Sequence, residues 1–232
     1  MSTSSTLHLY QYEDGYRYNS DSLLLYDFTC KLNPKGNVLD VGSGSGILGL
    51  LLKRDFATIS LTQIDVQSSH KFLTCRSAEY NKLESEIVCA DFRDYVFDKK
   101  FDFIVSNPPF YHKGTQKSEN ESLKISRHSD SLPFEELTKA VSSNLKPRGA
   151  FIFCYDAKQV DTLLTILFKY KLKVNRMRFV YTKEDNDASL VLIYAKKSSK
   201  SLCRILPSLY MHSKEVEDIY ENSKTKSLLW EN

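Results

Sequence analysis

Residues 40–49 read Asp-Val-Gly-Ser-Gly-Ser-Gly-Ile-Leu-Gly, so half of the eight glycines in a 232-residue chain fall within eight positions. No other feature constrains the backbone as much. Glycine enters the left-handed region without steric cost and lets another group approach the main chain closely. The cluster follows Asn37–Val41, a short buried-strand pattern, and leads into a helical stretch at Leu48–Lys53. A strand that turns through glycines into a helix opens an α/β unit.

The rest of the chain continues that alternation. Further strand patterns lie at Ile59–Ile64, Glu86–Cys89, Phe101–Ser106 and Ala150–Tyr155. Helical stretches lie at Ser22–Cys30, about Ser69–Lys82, Phe134–Asn144 and about Gln159–Lys169. Strands alternating with helices predict a parallel sheet covered by helices on both faces. Val174–Tyr181 and Ser189–Tyr194 are separated only by a polar loop, which predicts a hairpin and one antiparallel strand. The expected fold is α/β, with a seven-stranded, mostly parallel sheet whose last strand is antiparallel. A single domain over residues 1–232 is expected, with an N-terminal segment 1–35, a core 36–197 and a C-terminal extension 198–232.

Ligands of such sheets bind beyond the carboxyl ends of the strands. Here Asp40, Asp65, Asp91 and Asn107 stand at or just after those ends. Gly44, Gly46 and Gly49 fit the dinucleotide pattern G-x-G-x-x-G, with Asp65 about twenty residues on to hold a ribose. The same segment also reads as Asp40 followed by three alternate glycines, Gly42, Gly44 and Gly46. Asp40 would repel a pyrophosphate but suits a positively charged amino group, and Asp91 adds an acceptor for an adenine amine. This combination favours S-adenosyl-L-methionine over a nicotinamide dinucleotide.

The fourth strand runs into Asn107-Pro108-Pro109-Phe110. Proline fixes φ, lacks an N–H, and holds the preceding residue extended. The turn is therefore stiff and rich in acceptors. An amine on a planar ring is a poor nucleophile because its lone pair is delocalised. If the Asn107 side-chain oxygen and the Pro108 carbonyl accept its N–H groups, the lone pair is freed for in-line attack on a methyl group. Phe110 would stack on the base. Asn107, Pro108, Pro109 and Phe110 are thus the candidate catalytic residues.

The Asp40–Gly46 and Asn107–Phe110 segments resemble the signatures of class I S-adenosylmethionine-dependent methyltransferases acting on planar amino groups. The segment Asp14–Leu25 is similar to that of the bacterial tRNA (adenine-N6)-methyltransferase family, which includes the enzyme modifying adenine 37 of valine tRNA. The resemblance extends through Ser126-Arg127-His128 and Pro207–Tyr220. It implies a Rossmann-like fold, S-adenosyl-L-methionine as cofactor and an RNA substrate, most naturally tRNA. Asp40, Gly42, Gly44 and Gly46 would line the methionine end, with Asp65 on the ribose and Asp91 on the adenine. Phe110 departs from the tyrosine of many adenine enzymes and matches rRNA guanine-N2 methyltransferases, leaving the base identity open.

Lys+Arg 32 against Asp+Glu 29 gives a net charge of only +3, so no global excess announces a nucleic acid. Locally, Lys169, Lys171, Lys173, Arg176, Arg178 and Lys183 occur without an intervening acid, which reads equally as an RNA surface or a solvated strand face. The loop Tyr111–Ser129 carries Lys113, Arg127 and His128 and is expected to order on RNA; Tyr111, Lys113, Arg127 and His128 are the candidate RNA contacts. An unpaired loop base is the accessible target, since bases in A-form helices are hidden. Five scattered cysteines read as reduced thiols, with no metal site. Neither a secretory signal nor a membrane span is evident, so a cytoplasmic protein without an obligate protein partner is expected. The alternatives are rRNA guanine-N2 or protein glutamine-N5 methylation, nicotinamide oxidoreduction, or a catalytically silent RNA-binding module.

Overall fold

The computed structural model describes residues 5–12, 20–109 and 132–230. The first half contains β1 (Leu7–Tyr12), α1 (Ser20–Cys30), β2 (Asn37–Val41), α2 (Ile47–Asp55), β3 (Ser60–Asp65), α3 (Ser68–Asn81), β4 (Glu86–Cys89) and β5 (Phe101–Ser106). The second half contains α4 (Phe134–Asn144), β6 (Leu145–Asp156), α5 (Val160–Lys169), β7 (Leu172–Tyr181) and β8 (Ala188–Lys197). Short β9 (Arg204–Ile205) and β10 (Leu209–Tyr210) precede α6 (Lys214–Ser223) and β11 (Thr225–Trp230).

The main sheet has the order β10-β7-β8-β6-β5-β2-β3-β4, with β9 also on β7. β8 is antiparallel to β6 and β7, while the pairs β2–β3, β2–β5, β3–β4 and β5–β6 are parallel. The expected parallel sheet with its antiparallel last strand is therefore present. Period-two alternation separates the faces: Val38, Ile152 and Cys154 join α1, α2 and α6 in one core, whereas Leu39, Phe151 and Phe153 join α4 and α5 in the other. No helix among the described residues is long and apolar enough to cross a membrane.

Four strands go beyond the seven expected. β9 and β10 add to the β7 edge. β1 and β11 form a separate parallel pair, from Leu7 opposite Thr225 to Tyr12 opposite Trp230. The other edge of β1 is closed by α3: Asn81 Oδ1 and Ser77 Oγ accept the N–H groups of His8 and Tyr10, at 2.9 and 3.0 Å. Those contacts satisfy backbone donors that an open strand edge would leave exposed.

The basic run separates along its length. Ser106 aligns through Phe153 and Ile193 with Met177. Lys169, Lys171 and Lys173 therefore lie toward the amino-terminal edge of the sheet, away from the Asn107 end. Lys169 pairs with Glu135 at 2.5 Å. Arg178 is buried and donates two parallel bonds to Glu215, at 2.7 and 2.6 Å, and one to the Pro207 carbonyl at 2.9 Å. It anchors α6 to β7 and is not a free RNA contact.

Arg178→Ala should lower stability by about 2 kcal/mol, because charge-assisted bonds are lost from a buried position. Urea denaturation measures the difference. The Arg178 bonds hold the Glu215 carboxyl down to about 2, against its ordinary 4.5. A depressed carboxyl adds stability above its unfolded pKa and loses it as pH falls through the folded value. The gap between the parent chain and the variant should therefore narrow as pH falls from 4.5 toward 2.

Candidate active site

The carboxyl ends of β2, β3 and β5 open onto a cavity of about 340 Å³. Its lining includes Asp40, Gly42, Gly44, Asp65, Asp91, Asn107, Pro108 and Pro109. The glycine loop and the proline turn, separated by some sixty residues, thus share one space. Phe110, Tyr111, Lys113, Arg127 and His128 lie outside the described residues.

Gly42, Gly44 and Gly46 take φ of +68°, +55° and +84°, which explains why the loop is glycine-rich. A Cβ at Gly42 or Gly44 would meet no atom within 4 Å, so their backbone faces open space. The loop is tied at its base by Gly42 N–H donating to the Ile64 carbonyl (2.9 Å) and by Thr74 Oγ1 donating to the Gly44 carbonyl (2.9 Å).

Asp40 is almost wholly buried, and its Oδ2 accepts the Gly49 N–H at 2.9 Å. That amide belongs to the first turn of α2, where backbone donors have no partner within the helix. The carboxyl therefore caps α2 from the neighbouring strand. Burial pushes it up to about 7; the Gly49 bond opposes the rise and nearby Asp65 adds to it. Gly49 permits the contact because a Cβ there would lie 2.4 Å from Gln63 Oε1 and 3.0 Å from Asp40 Oδ2.

Asp65 accepts from Gly44 N–H (2.9 Å) through Oδ2, and from Gln67 N–H (2.9 Å) through Oδ1, which also meets His70 Nδ1 at 3.1 Å. Burial raises its pKa, but His70 and the two amides outweigh that and hold the carboxyl below its ordinary value. Two neighbouring aspartates are thus driven in opposite directions. Asp91 lines the rim, clasped by Arg93, which donates its N–H and Nε to Oδ1 (both 2.9 Å) and Nη2 to Oδ2 (2.5 Å). Arg93 holds that carboxyl below its usual range and also bridges to Glu136 at 2.8 Å.

Asn107 Nδ2 donates to Ser22 Oγ at 3.0 Å, and Cys154 Sγ donates to Asn107 Oδ1 at 2.9 Å. Ser22 comes from α1 and Cys154 from β6, so two distant segments fix one amide. Cys154 is buried, and that burial raises its thiol well above the ordinary value, keeping it a neutral donor. Ser22, His70, Arg93 and Cys154 were not singled out by sequence. His70 alone left a local signal, five residues after Asp65 in the first turn of the next helix.

Comparison with known proteins is consistent with this geometry. The family model "Methyltransferase small domain" matches residues 19–159. A Bacteroides fragilis protein named tRNA1(Val) (adenine(37)-N6)-methyltransferase is 32% identical, over 72% of this chain and 71% of its own. A Shewanella pealeana protein of the same name is 27% identical, over 84% of this chain and 80% of its own. Among solved structures, an Agrobacterium tumefaciens protein described as a predicted O-methyltransferase aligns with TM-score 0.69 at 15% identity, covering 90% of this chain and 99% of that one. A ribosomal protein L11 methylase of Lactobacillus delbrueckii subsp. bulgaricus aligns with TM-score 0.57 at 19% identity, covering 80% and 83%.

Gly49→Ala offers a test of the site's packing in which two effects oppose. Replacing glycine inside a helix ordinarily stabilises by up to about 1 kcal/mol. Overpacking against buried Gln63 and Asp40 should outweigh this and produce a net loss of about 1–2 kcal/mol. A lowered thermal midpoint is the expected result, and a raised one would contradict the close approach of α2 to the sheet.

Proposed function

Because the chain belongs to the methyltransferase small-domain family and is an S-adenosylmethionine-dependent methyltransferase, we propose that its acceptor is the exocyclic N6 amine of an unpaired adenine in tRNA. Adenine 37 of valine tRNA is the position given in the names of its relatives. The observation that carries the reading is the single cavity shared by the glycine loop and the Asn107-Pro108-Pro109 turn.

The residues present fit the cofactor. Gly42 and Gly44, at positive φ with open space above them, accept a ligand lying against the main chain, whereas Gly46 packs against Thr74 and Leu50. Asp40 offers buried negative charge to an ammonium group, and Asp65 offers an ionised carboxylate already aligned by Gly44 and His70 to a ribose diol. Ile64, Val66 and Phe92 provide apolar lining beside Asp91 for an adenine ring. When bound, the cofactor supplies an electrophilic methyl group on a sulfonium centre.

The remaining work falls to the turn. A carbonyl oxygen has two acceptor sites, so Asn107 Oδ1 can receive an amine N–H while accepting the Cys154 thiol. The Pro108 carbonyl takes the second N–H, and the amine nitrogen is held pyramidal with its lone pair directed toward the methyl donor. Ser22 and Cys154 fix the amide beforehand, which reduces the reorganisation needed during transfer. Asn107 is not a base; the proton leaves to solvent after the bond forms. Phe110 is assigned to stacking on the target base, and Tyr111, Lys113, Arg127 and His128 to RNA contacts.

Incubation with labelled S-adenosylmethionine and separated tRNA, rRNA and protein pools, followed by digestion, should place the label in N6-methyladenosine from tRNA. Label in N2-methylguanosine or methylglutamine would overturn the acceptor assignment. Asn107→Ala should lower kcat by about 100-fold, with cofactor affinity changed by only a few fold.

The Asp40 assignment makes a pH prediction. If this carboxyl must ionise to meet the ammonium group, affinity rises with pH through about 7, and binding releases protons. Calorimetric titration should show about a fivefold to tenfold rise between pH 6 and 7.5. Asp40→Asn keeps an acceptor for Gly49 and should flatten that profile.

A further inference from the structure

Trp230 is the sole tryptophan of the chain and has no part in the site described above. Its ring meets Tyr10 at 5.4 Å and Phe72 at 5.1 Å between centroids, both edge to face. Tyr80 continues the row, 6.0 Å from Tyr10 and 5.0 Å from His8. Phe72, Arg76 and Tyr80 recur every four residues on α3, so they form one stripe along that helix. The Arg76 guanidinium lies 5.5 Å from the centroids of both Phe72 and Trp230.

The rings hold β1 and β11 against α3, yet they are not withdrawn from solvent. Tyr80 is 53% exposed and Phe72 37%. Exposed Lys71 is next to Phe72 in sequence, and exposed Lys226 stands opposite His8 in the strand pair. Arg76 shares its charge with Glu79 at 3.1 Å. α3 also reaches the cavity, where His70 lines it beside Asp65, but from a different face of the helix than the stripe.

We propose that this face is a stacking platform for unpaired nucleotides of the RNA substrate, outside the catalytic cavity. It rests on the RNA reading given above and extends it to a second surface. Bases present flat π faces that stack on exposed aromatic rings irrespective of sequence, and neighbouring cations meet the phosphates. An arginine already lying against two rings adds a planar cation to the same row. Arg76, Lys71 and Lys226 give the ringed face the positive charge that complements the phosphates of RNA.

The sole tryptophan reports on the surface directly. Titrating the full-length protein with a synthetic RNA hairpin carrying an unpaired, adenine-containing loop should quench Trp230 emission, in step with binding followed by RNA anisotropy. Trp230→Phe should lose the signal while retaining most of the affinity. Tyr80→Ala and Arg76→Ala, at exposed positions, should each weaken RNA binding about tenfold. They should raise the KM for RNA while leaving kcat and cofactor affinity unchanged. Asn107→Ala should cut methylation about 100-fold but preserve quenching, so an error in the acceptor assignment is separable from an error here. RNA binding seen by anisotropy without change in Trp230 emission, or unaltered affinity in both α3 variants, would overturn the proposal; quenching by a protein but not by RNA would do the same.

Discussion

Asp40 and Gly49 make the contact on which the site depends. A carboxyl withdrawn from water needs a donor, and the first turn of a helix has amides without partners. Joining the two fixes where α2 meets β2 and places the intervening loop above the strand ends. The loop then has to turn through three left-handed residues, and one of them, Gly44, donates to Asp65 on the adjacent strand. The result is a chain of backbone amides linking two acids that differ in protonation: Asp40 is raised by burial, while Asp65 is kept ionised by His70, Gln67 and Gly44. A cavity with one readily neutralised acid and one fixed anion is suited to a ligand with a cationic end and a neutral diol.

The acceptor side relies on a different economy of charge. Asn107 is held by a serine hydroxyl and a cysteine thiol, both neutral. The proposed chemistry requires hydrogen-bond acceptors in a fixed direction and no proton abstraction before transfer. Arg93 on Asp91 illustrates the contrasting arrangement at the rim, where a partly exposed carboxylate is paired at once with a cation.

The sequence was most readable where local rules apply. Acids following apolar runs marked the strand ends, and glycines between a strand and a helix marked the loop, because these signals lie within a few residues of one another. The antiparallel strand was legible from the shortness of the connection before β8. Non-local pairing was not. β1 and β11 are joined across more than two hundred positions, and neither shows an apolar run strong enough to be singled out. Arg178 sat among basic residues and resembled a surface cation; its partner Glu215 lies on a distant helix, so nothing nearby revealed its burial. Ser22 and Cys154 were equally silent, since their contact with Asn107 exists only after α1, β5 and β6 have assembled.

The parallel pairing of β1 with β11 has a mechanical consequence. The chain enters the pair at the Leu7–Thr225 end and leaves it at the Tyr12–Trp230 end. A force drawing the two termini apart therefore acts along both strands in opposite directions and loads their ladder in shear. The inter-strand bonds must then yield together, whereas a pair pulled open from one end would yield bond by bond. The parallel register thus makes the β1–β11 pair resistant to being drawn apart along its length.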